Sequence, residues 1–279
     1  MSETHYRNLE SFKNQLDLHN LPMPTLPDVA IRAQQLASDP DSTPEQLASV
    51  ISSDAALAAQ IIRVANSPLM RHLSEVRSIS QAVMRLGFNT VKDLSLVFAM
   101  RNAAKVKSPF ATAELKSSWE ESREIAAIAS AIASVTKKLP PDQALLAGMI
   151  HRIGVLPLVS ALDDMRIESQ EAKGAREAIE ELHPELGSQI LRHWRFAEDL
   201  ACVPETYKDP CRPGGKRATL ADAVAIAYLV YKISKGGVEW IPPLNSLESG
   251  MRLDLDCSAE ALKAFAGNDQ VKQSRSLLA

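Results

Sequence analysis

The chain has 279 residues, of which 46% are hydrophobic, 23% charged and 5% aromatic, as in an ordinary soluble protein. A chain of this length forms one large domain or two lobes and can bury a sizeable core without disulfide bonds. Its formal net charge of −3 leaves no overall basic surface for nucleic acid, so the charge argues against a nucleic-acid regulator.

Cysteine usage and hydropathy exclude further classes. The three cysteines are an odd number with no C-x-x-C spacing, which argues against a disulfide framework and a thiolate zinc site. The first 18 residues are polar and lack the apolar core of a signal peptide. We expect no membrane span, because even the apolar run 144–162 contains His151 and Arg152. The sequence therefore predicts a cytoplasmic protein that does not bind a membrane.

The N-terminal part predicts short helices joined by tight turns. A lead-in helix is expected over residues 1–20, followed by a proline-rich extended segment over 21–27. A helix should begin at Pro27 or Asp28 and end near Asp39. Further helices should begin at Thr43-Pro44, after Asp54, after Ser78 and after Asn89, with Gly87 ending the one that follows Ser78.

The C-terminal part predicts longer helices. A polar segment over 105–112 is the expected boundary between two lobes, and an alanine-rich helix should cover 124–135. Pro140-Pro141 should end that helix, and Asp142 should start a central helix that carries His151. One more core helix is predicted over 218–233, followed by a weaker helical extension from Pro242. We expect Trp119 and Trp194 to be largely buried.

A polar pair inside the central apolar run marks the candidate site. His151 and Arg152 are flanked by Met149, Ile150 and Ile153, with Gly148 three residues before His151 and Gly154 three residues after it. Burying an unpaired charge is costly, so the pair must meet a partner or line a cavity.

Several segments in order resemble landmarks of the HDOD family, a branch of the HD phosphohydrolase superfamily. They are Leu26-Pro27, Ser38-Asp39-Pro40, VISSD at 50–54, IIRVANS at 61–67 and SISQAVMRLG at 78–87, followed by EELHPELG at 180–187. The resemblance implies an all-α, multi-helical fold in two packed helical lobes. It divides the chain into the lead-in helix 1–20, an HDOD domain over 21–214 with lobes 21–108 and 109–214, and a helical extension over 215–279.

The same resemblance implies a metal site, from which this sequence departs. In HD enzymes, His and Asp side chains from several helices converge on metal ions that activate water. His151 is retained here, but Arg152 stands where the family has Asp, and Glu121 stands at the first His. A later His pair of some members maps near Thr206-Tyr207, where there is no His.

The remnant site candidates are therefore Glu121, His151, Arg152 and His183. We expect no catalytic residue, no metal and no cofactor, with Arg152 paired to an acid, Glu121 first. For His151, a structural or ligand-gripping role ranks ahead of catalysis. His183 precedes Pro184, so it should lie just before a helix. Arginines of the first lobe could grip a phosphate or an acidic partner, although a solvated helix face explains them more simply; they are Arg63, Arg71, Arg77 and Arg85.

Two functional hypotheses remain. The leading one is a non-catalytic regulatory module that binds a partner protein or a small ligand in bacterial signal transduction. The alternative is a metal-dependent phosphohydrolase with a rebuilt site. The sequence does not identify the partner or ligand, and it leaves the oligomeric state open.

Overall fold

The computed structural model describes residues 8–16, 27–39, 41–67, 75–103, 105–236 and 247–267. All regular secondary structure within these ranges is α-helical, as predicted. The extended segment expected over 21–26, both ends of the lead-in helix and the residues from 268 onward lie outside the described ranges. The domain limits drawn from the sequence stay predictions.

Most of the N-terminal helices begin and end where local sequence predicts, but the helix expected after Asn89 already begins at Phe88. Thr43 forms a reciprocal capping box with Gln46, and the Ser78 side chain accepts a hydrogen bond from the backbone N–H of Gln81. Gly87 ends its helix with a φ of 84°, which an L side chain rarely adopts. The helices are α1 (Leu9–Gln15), α2 (Asp28–Ser38), α3 (Pro44–Ser52), α4 (Ala55–Ala65), α5 (Ile79–Leu86) and α6 (Phe88–Ala103).

The second part departs from prediction in three places. The long helix begins at Pro109 behind the Ser108 cap, inside the segment expected to connect the lobes. The central helix ends at Ile150, and a turn over 151–154 separates it from the next helix, so His151 lies at a helix end. His183 lies inside a helix, not before one. These helices are α7 (Pro109–Thr136), α8 (Pro141–Ile150), α9 (Val155–Asp164) and α10 (Ala172–His193).

The remaining helices complete the second lobe and the C-terminal extension. They are α11 (Glu198–Ala201), α12 (Val203–Thr206), α13 (Leu220–Ser234), α14 (Glu248–Leu253) and α15 (Ala259–Ala266). Helix α13 packs against α7 and α8 and also receives α14 and α15. The extension is therefore part of the packed fold.

The two lobes share one continuous hydrophobic core. Helix α7 packs along α8, helix α6 contacts α8 across the lobe boundary, and α1 packs on α10. A hydrogen bond of 2.7 Å from Thr90 Oγ1 to Asp142 Oδ2 ties α6 to α8. The first turn of α7 is held by Asp163, whose carboxylate accepts the backbone N–H groups of Lys107 and Ser108.

Core packing also explains an unexpected hydropathy signal. The stretch Pro141–Asp164 is long and apolar enough to cross a membrane by length and composition, contrary to the sequence-based expectation. Most of it is buried inside the fold, among helices α7, α10, α12 and α13. Its composition is that of a central core segment, which meets apolar neighbours on every side.

Candidate functional site

Close backbone contacts hold the turn after α8 in place. A Cβ at Gly148 would overlap the backbone of Ala126 in α7, and a Cβ at Gly154 would overlap the carbonyl of His183 and the backbone N of Gly187 in α10. Only glycine permits these approaches. The two glycines that flank His151 therefore bring α7, α8 and α10 together around it.

His151 is completely buried and has one clear hydrogen-bond partner. Its Nδ1 lies 2.7 Å from the Gly148 carbonyl oxygen, so Nδ1 carries the proton in the neutral ring. Its Nε2 has no hydrogen-bond partner among the described residues and lies 4.0 Å from Glu121 Oε1. Burial lowers the pKa of His151, so the ring is neutral near pH 7.

Arg152 is almost fully buried and binds two carboxylates. Its Nη2 lies 2.5 Å from Glu180 Oε1, its Nη1 lies 3.5 Å from Glu121 Oε1, and its Nε donates to Ser118 Oγ at 3.3 Å. Burial alone would lower the pKa of Arg152, but the two carboxylates raise it. The predicted pair with Glu121 is present, but Glu180 is the closer partner and was not proposed for this role.

Pro184 creates the connection between Glu180 and Lys208. Proline has no N–H, so within α10 it leaves the carbonyl of Glu180, four residues earlier, without its helical donor. Lys208 Nζ fills this place, 2.8 Å from the Glu180 carbonyl and 3.1 Å from Glu180 Oε2. Burial alone would raise the pKa of Glu180, but His183, Arg152 and Lys208 hold it well below its usual range.

A buried tyrosine separates the two histidines. The Tyr207 ring lies edge-on to His151 with centroids 4.6 Å apart, and its hydroxyl is 3.3 Å from His183 Nε2. Tyr228 of α13 packs edge-on against the other side of Tyr207. Burial raises the pKa of Tyr207, so its hydroxyl stays protonated. In the sequence, Tyr207 stands out only where the family's later His pair would be, and nothing local indicates its packing role.

The donor set does not fit a metal ion. Among the described residues, no group of three or more His, Cys, Asp or Glu side chains could hold one. His151 Nε2, which has no hydrogen-bond partner among the described residues, shares its carboxylate neighbour with the guanidinium of Arg152. A fixed cation thus occupies the side of Glu121 where a metal would need to approach.

Other predicted residues lie apart from this cluster. Trp194 is buried as predicted, and Trp119 is partly exposed but packs against the core, with Arg101 over its ring at 4.3 Å and Phe98 at its edge. Arg77 pairs with Glu75 and is exposed, and Arg85 donates to the Ala65 carbonyl. The exposed Arg77 agrees with the simpler interpretation of a solvated helix face, whereas Arg85 is partly buried and holds a helix end; Arg71 lies outside the described residues.

Comparison with known families places this cluster in context. The sequence profile of the HDOD domain matches residues 23–210, more than half of the chain. The chain belongs to the HDOD family. The HDOD match covers Glu121, His151, Arg152, His183 and Tyr207.

Solved structures of HDOD-like proteins share this architecture. A candidate metal-dependent phosphohydrolase from Shewanella amazonensis SB2B superposes with a TM-score of 0.79 at 26% identity, covering 97% of this chain and 98% of that one. An HDOD domain protein of unknown function from Geobacter sulfurreducens gives a TM-score of 0.62 at 23% identity, with 97% of each chain covered. A candidate signal transduction protein from Marinobacter aquaeolei VT8 gives 0.59 at 19% identity, with 99% of this chain and 67% of that one covered.

A curated relative is longer than this chain. An uncharacterized protein from Treponema pallidum (strain Nichols) is 25% identical over 210 residues, which are 67% of this chain. The matched part spans only 39% of that protein's length.

Proposed function

We propose that this HDOD chain is a non-catalytic regulatory module that binds a partner protein or a small ligand in bacterial signal transduction. The single observation that carries the proposal is the placement of Arg152. Its guanidinium lies between Glu121 and Glu180 at the position where the resembling enzymes have a metal-binding Asp. The charged groups of this cluster therefore pair with one another within the protein.

Electrostatics oppose a metal ion at this place. Two unit charges 4 Å apart repel by about 4 kcal/mol at an effective dielectric near 20, and a dication beside an arginine would meet roughly twice that. Arginine does not lose its proton in proteins, so the repulsion cannot be relieved by titration. One imidazole nitrogen of His151 does not offset it.

The fold comparisons support a signalling role only at the level of the family. The Marinobacter aquaeolei structure, described as a candidate signal transduction protein, shares the fold at 19% identity. The second candidate function, a metal-dependent phosphohydrolase with a rebuilt site, is favoured by the description of the Shewanella amazonensis structure, at 26% identity over 97% of this chain.

Metal binding and turnover separate the two candidates. The purified protein is analysed for metal, and hydrolysis of bis(p-nitrophenyl) phosphate is measured with added Mn²⁺ in the wild type, in H151A and in R152D. We expect no stoichiometric metal in the wild type and no turnover above that of H151A. Turnover by the wild type that H151A abolishes, in a variant that still folds, would overturn the proposal and favour the hydrolase.

The R152D variant sharpens this test. The substitution removes the guanidinium and restores the acid that the family carries at this position. We expect Mn²⁺ to raise the melting temperature of R152D and to leave that of the wild type unchanged. Equal Mn²⁺ stabilisation of both proteins would show that Arg152 does not exclude the metal.

A further inference from the structure

A cavity beside the His151 cluster has a strongly basic lining. It has a volume of about 470 Å³ and lies between α6, the middle of α7 and the α8–α9 junction. Ligand pockets in proteins commonly have such volumes. His151, Glu121 and Tyr207 do not line it, and Arg152 is the residue that it shares with the closed cluster.

The charges of the lining do not balance. Arg101, Lys116, Arg123 and Arg152 line the cavity, against one acidic side chain, the exposed Glu120. Arg152 already binds Glu121 and Glu180. The lining therefore has more positive than negative side chains, with Lys116 exposed like Glu120, beside a low-dielectric wall where the field on an anion is strong.

Arg101 shows this excess most clearly. Within the described parts of the chain it forms no ion pair, and its guanidinium carbon lies over the ring of Trp119, 4.3 Å from the ring centroid. Burial lowers the pKa of Arg101, and the positive charges of Arg123 and Arg63 lower it further. The fold thus holds Arg101 half-buried against electrostatic repulsion.

The contact with Trp119 leaves the N–H groups of Arg101 available. An indole face attracts the guanidinium charge without forming an ion pair with it, so these N–H groups can still bind a phosphate or carboxylate in a bidentate manner. Trp119 is in turn held by an edge contact with Phe98, 5.9 Å between ring centroids. The guanidinium is therefore pre-positioned.

We propose that this cavity is a binding site for a small organic phosphate, with the phosphate at Arg101 and the organic part against Met149, Ile153 and Leu156. A phosphate dianion carries more negative charge than a carboxylate and offers the guanidinium two oxygens for bidentate hydrogen bonds. The apolar side chains form the wall at the α8–α9 junction and suit the non-polar part of such a molecule.

This inference rests on the proposed function, because it assigns a class of ligand to the regulatory module. It also suggests how ligand binding would affect the ion pairs of Arg152. Arg152 lines the cavity and is bound to Glu180 of α10, so a phosphate near its guanidinium competes with the carboxylates for the same N–H groups.

Titration calorimetry on the full chain tests the site. The probes are AMP, GMP, glucose 6-phosphate and inorganic pyrophosphate, with adenosine and glucose as uncharged controls. We expect at least one organic phosphate to bind, its uncharged counterpart not to bind, and added salt to weaken the binding. Absence of binding by all the phosphate probes at millimolar concentration overturns the proposal.

Matched variants locate the binding. R101M should weaken the affinity by about tenfold or more, as expected for losing a charge-assisted hydrogen-bond pair. R77M removes the same charge from an exposed ion pair outside the cavity and should leave the affinity unchanged. R101M should also melt at the same or a higher temperature than the wild type, because it relieves repulsion. Unchanged affinity in R101M places the ligand elsewhere and overturns the site.

Phosphate release from the bound probe distinguishes the two proposals. Binding without hydrolysis supports both. Binding at Arg101 with metal-dependent hydrolysis supports the cavity and overturns the non-catalytic function. The absence of both binding and hydrolysis overturns the cavity and leaves the non-catalytic function standing.

Discussion

Arg152 and Arg101 lie on walls of the same cavity in opposite electrostatic settings. Arg152 is the more deeply buried, yet Glu180 and Glu121 outweigh the desolvation of its charge and raise its pKa. Arg101 forms no ion pair with a described residue, and burial together with the nearby charges of Arg123 and Arg63 lowers its pKa. Arg152 has its ion-pair partners within the protein, whereas Arg101 is positioned to bind an anion.

This difference separates an arginine that stabilises the fold from an arginine that serves binding. The Arg152 cluster connects α7, the α8–α9 turn and α10, so its ion pairs hold the second lobe together. Arg101 adds no such connection and sits where its charge is unfavourable. Residues that are kept against the stability of a protein commonly serve binding.

Gly154→Ala should disturb the Arg152 cluster most. The added Cβ would overlap the His183 carbonyl and displace α10, which carries Glu180, from the turn that carries Arg152. Backbone cannot give way as a flexible side chain can, so we expect a loss of about 3 kcal/mol in the free energy of unfolding. Urea denaturation measures it. The control is Gly215→Ala, where the Cβ meets nothing within 4 Å; equal losses would contradict the assignment.

Arg152→Met and Arg101→Met compare the two arginines directly. Removing Arg152 leaves Glu121 and Glu180 facing each other without a cation, and we expect a loss of about 3 kcal/mol. This is the lower end for a broken buried pair, because the Glu180 side chain is 46% exposed. Arg101→Met should show no loss. Thermal and urea denaturation of both variants decide it, and a similar loss at both positions would remove the contrast.

The pH dependence of the free energy of unfolding should show the titration of His183. Burial lowers its pKa to about 4, with Arg152 and Lys208 acting in the same direction and Glu180 against it. The unfolded state therefore binds more protons below pH ~6.5, so this contribution is present above that pH and is lost as the pH falls towards 4. The whole loss is about 3 kcal/mol, and His151, also with a lowered pKa, adds to it.

Denaturation midpoints measured between pH 7.5 and 5 check this expectation. His183→Gln should have a shallower dependence than the wild type, because one buried titration is removed. His193→Gln, at an exposed position of the same helix, is the matched control. Parallel curves for His183→Gln and the wild type would argue against the titration.

Lys208→Met should produce the smallest effect. It removes the donor to the Glu180 carbonyl that Pro184 leaves without a helical partner, together with an ion pair to Glu180. We expect a loss of about 1 kcal/mol, since the lysine side chain is 35% exposed and water can replace it in part. In the double variant with Pro184→Ala, the helical N–H returns and the loss should shrink. A double-mutant cycle without coupling would refute the connection.

The sequence by itself determined the helical architecture of this protein and many helix ends. The Thr43–Gln46 capping box, the Ser78 cap and the Gly87 stop depend on residues within four positions of one another, so local chemistry suffices to predict them. The sequence also identified His151-Arg152 as the centre of the site and Glu121 as a partner, through the resemblance to HDOD proteins.

Only the tertiary structure decided what those residues do. The helix break after Ile150, the proline inside α10 and the positions of Glu180 and Tyr207 depend on groups far apart in the chain. Pro184 is accommodated inside a helix because Lys208, 24 positions later, donates to the Glu180 carbonyl. Arg101 looks like any helical arginine in the sequence, because only packing brings it beside Trp119 and Arg123 without an ion pair to a described carboxylate.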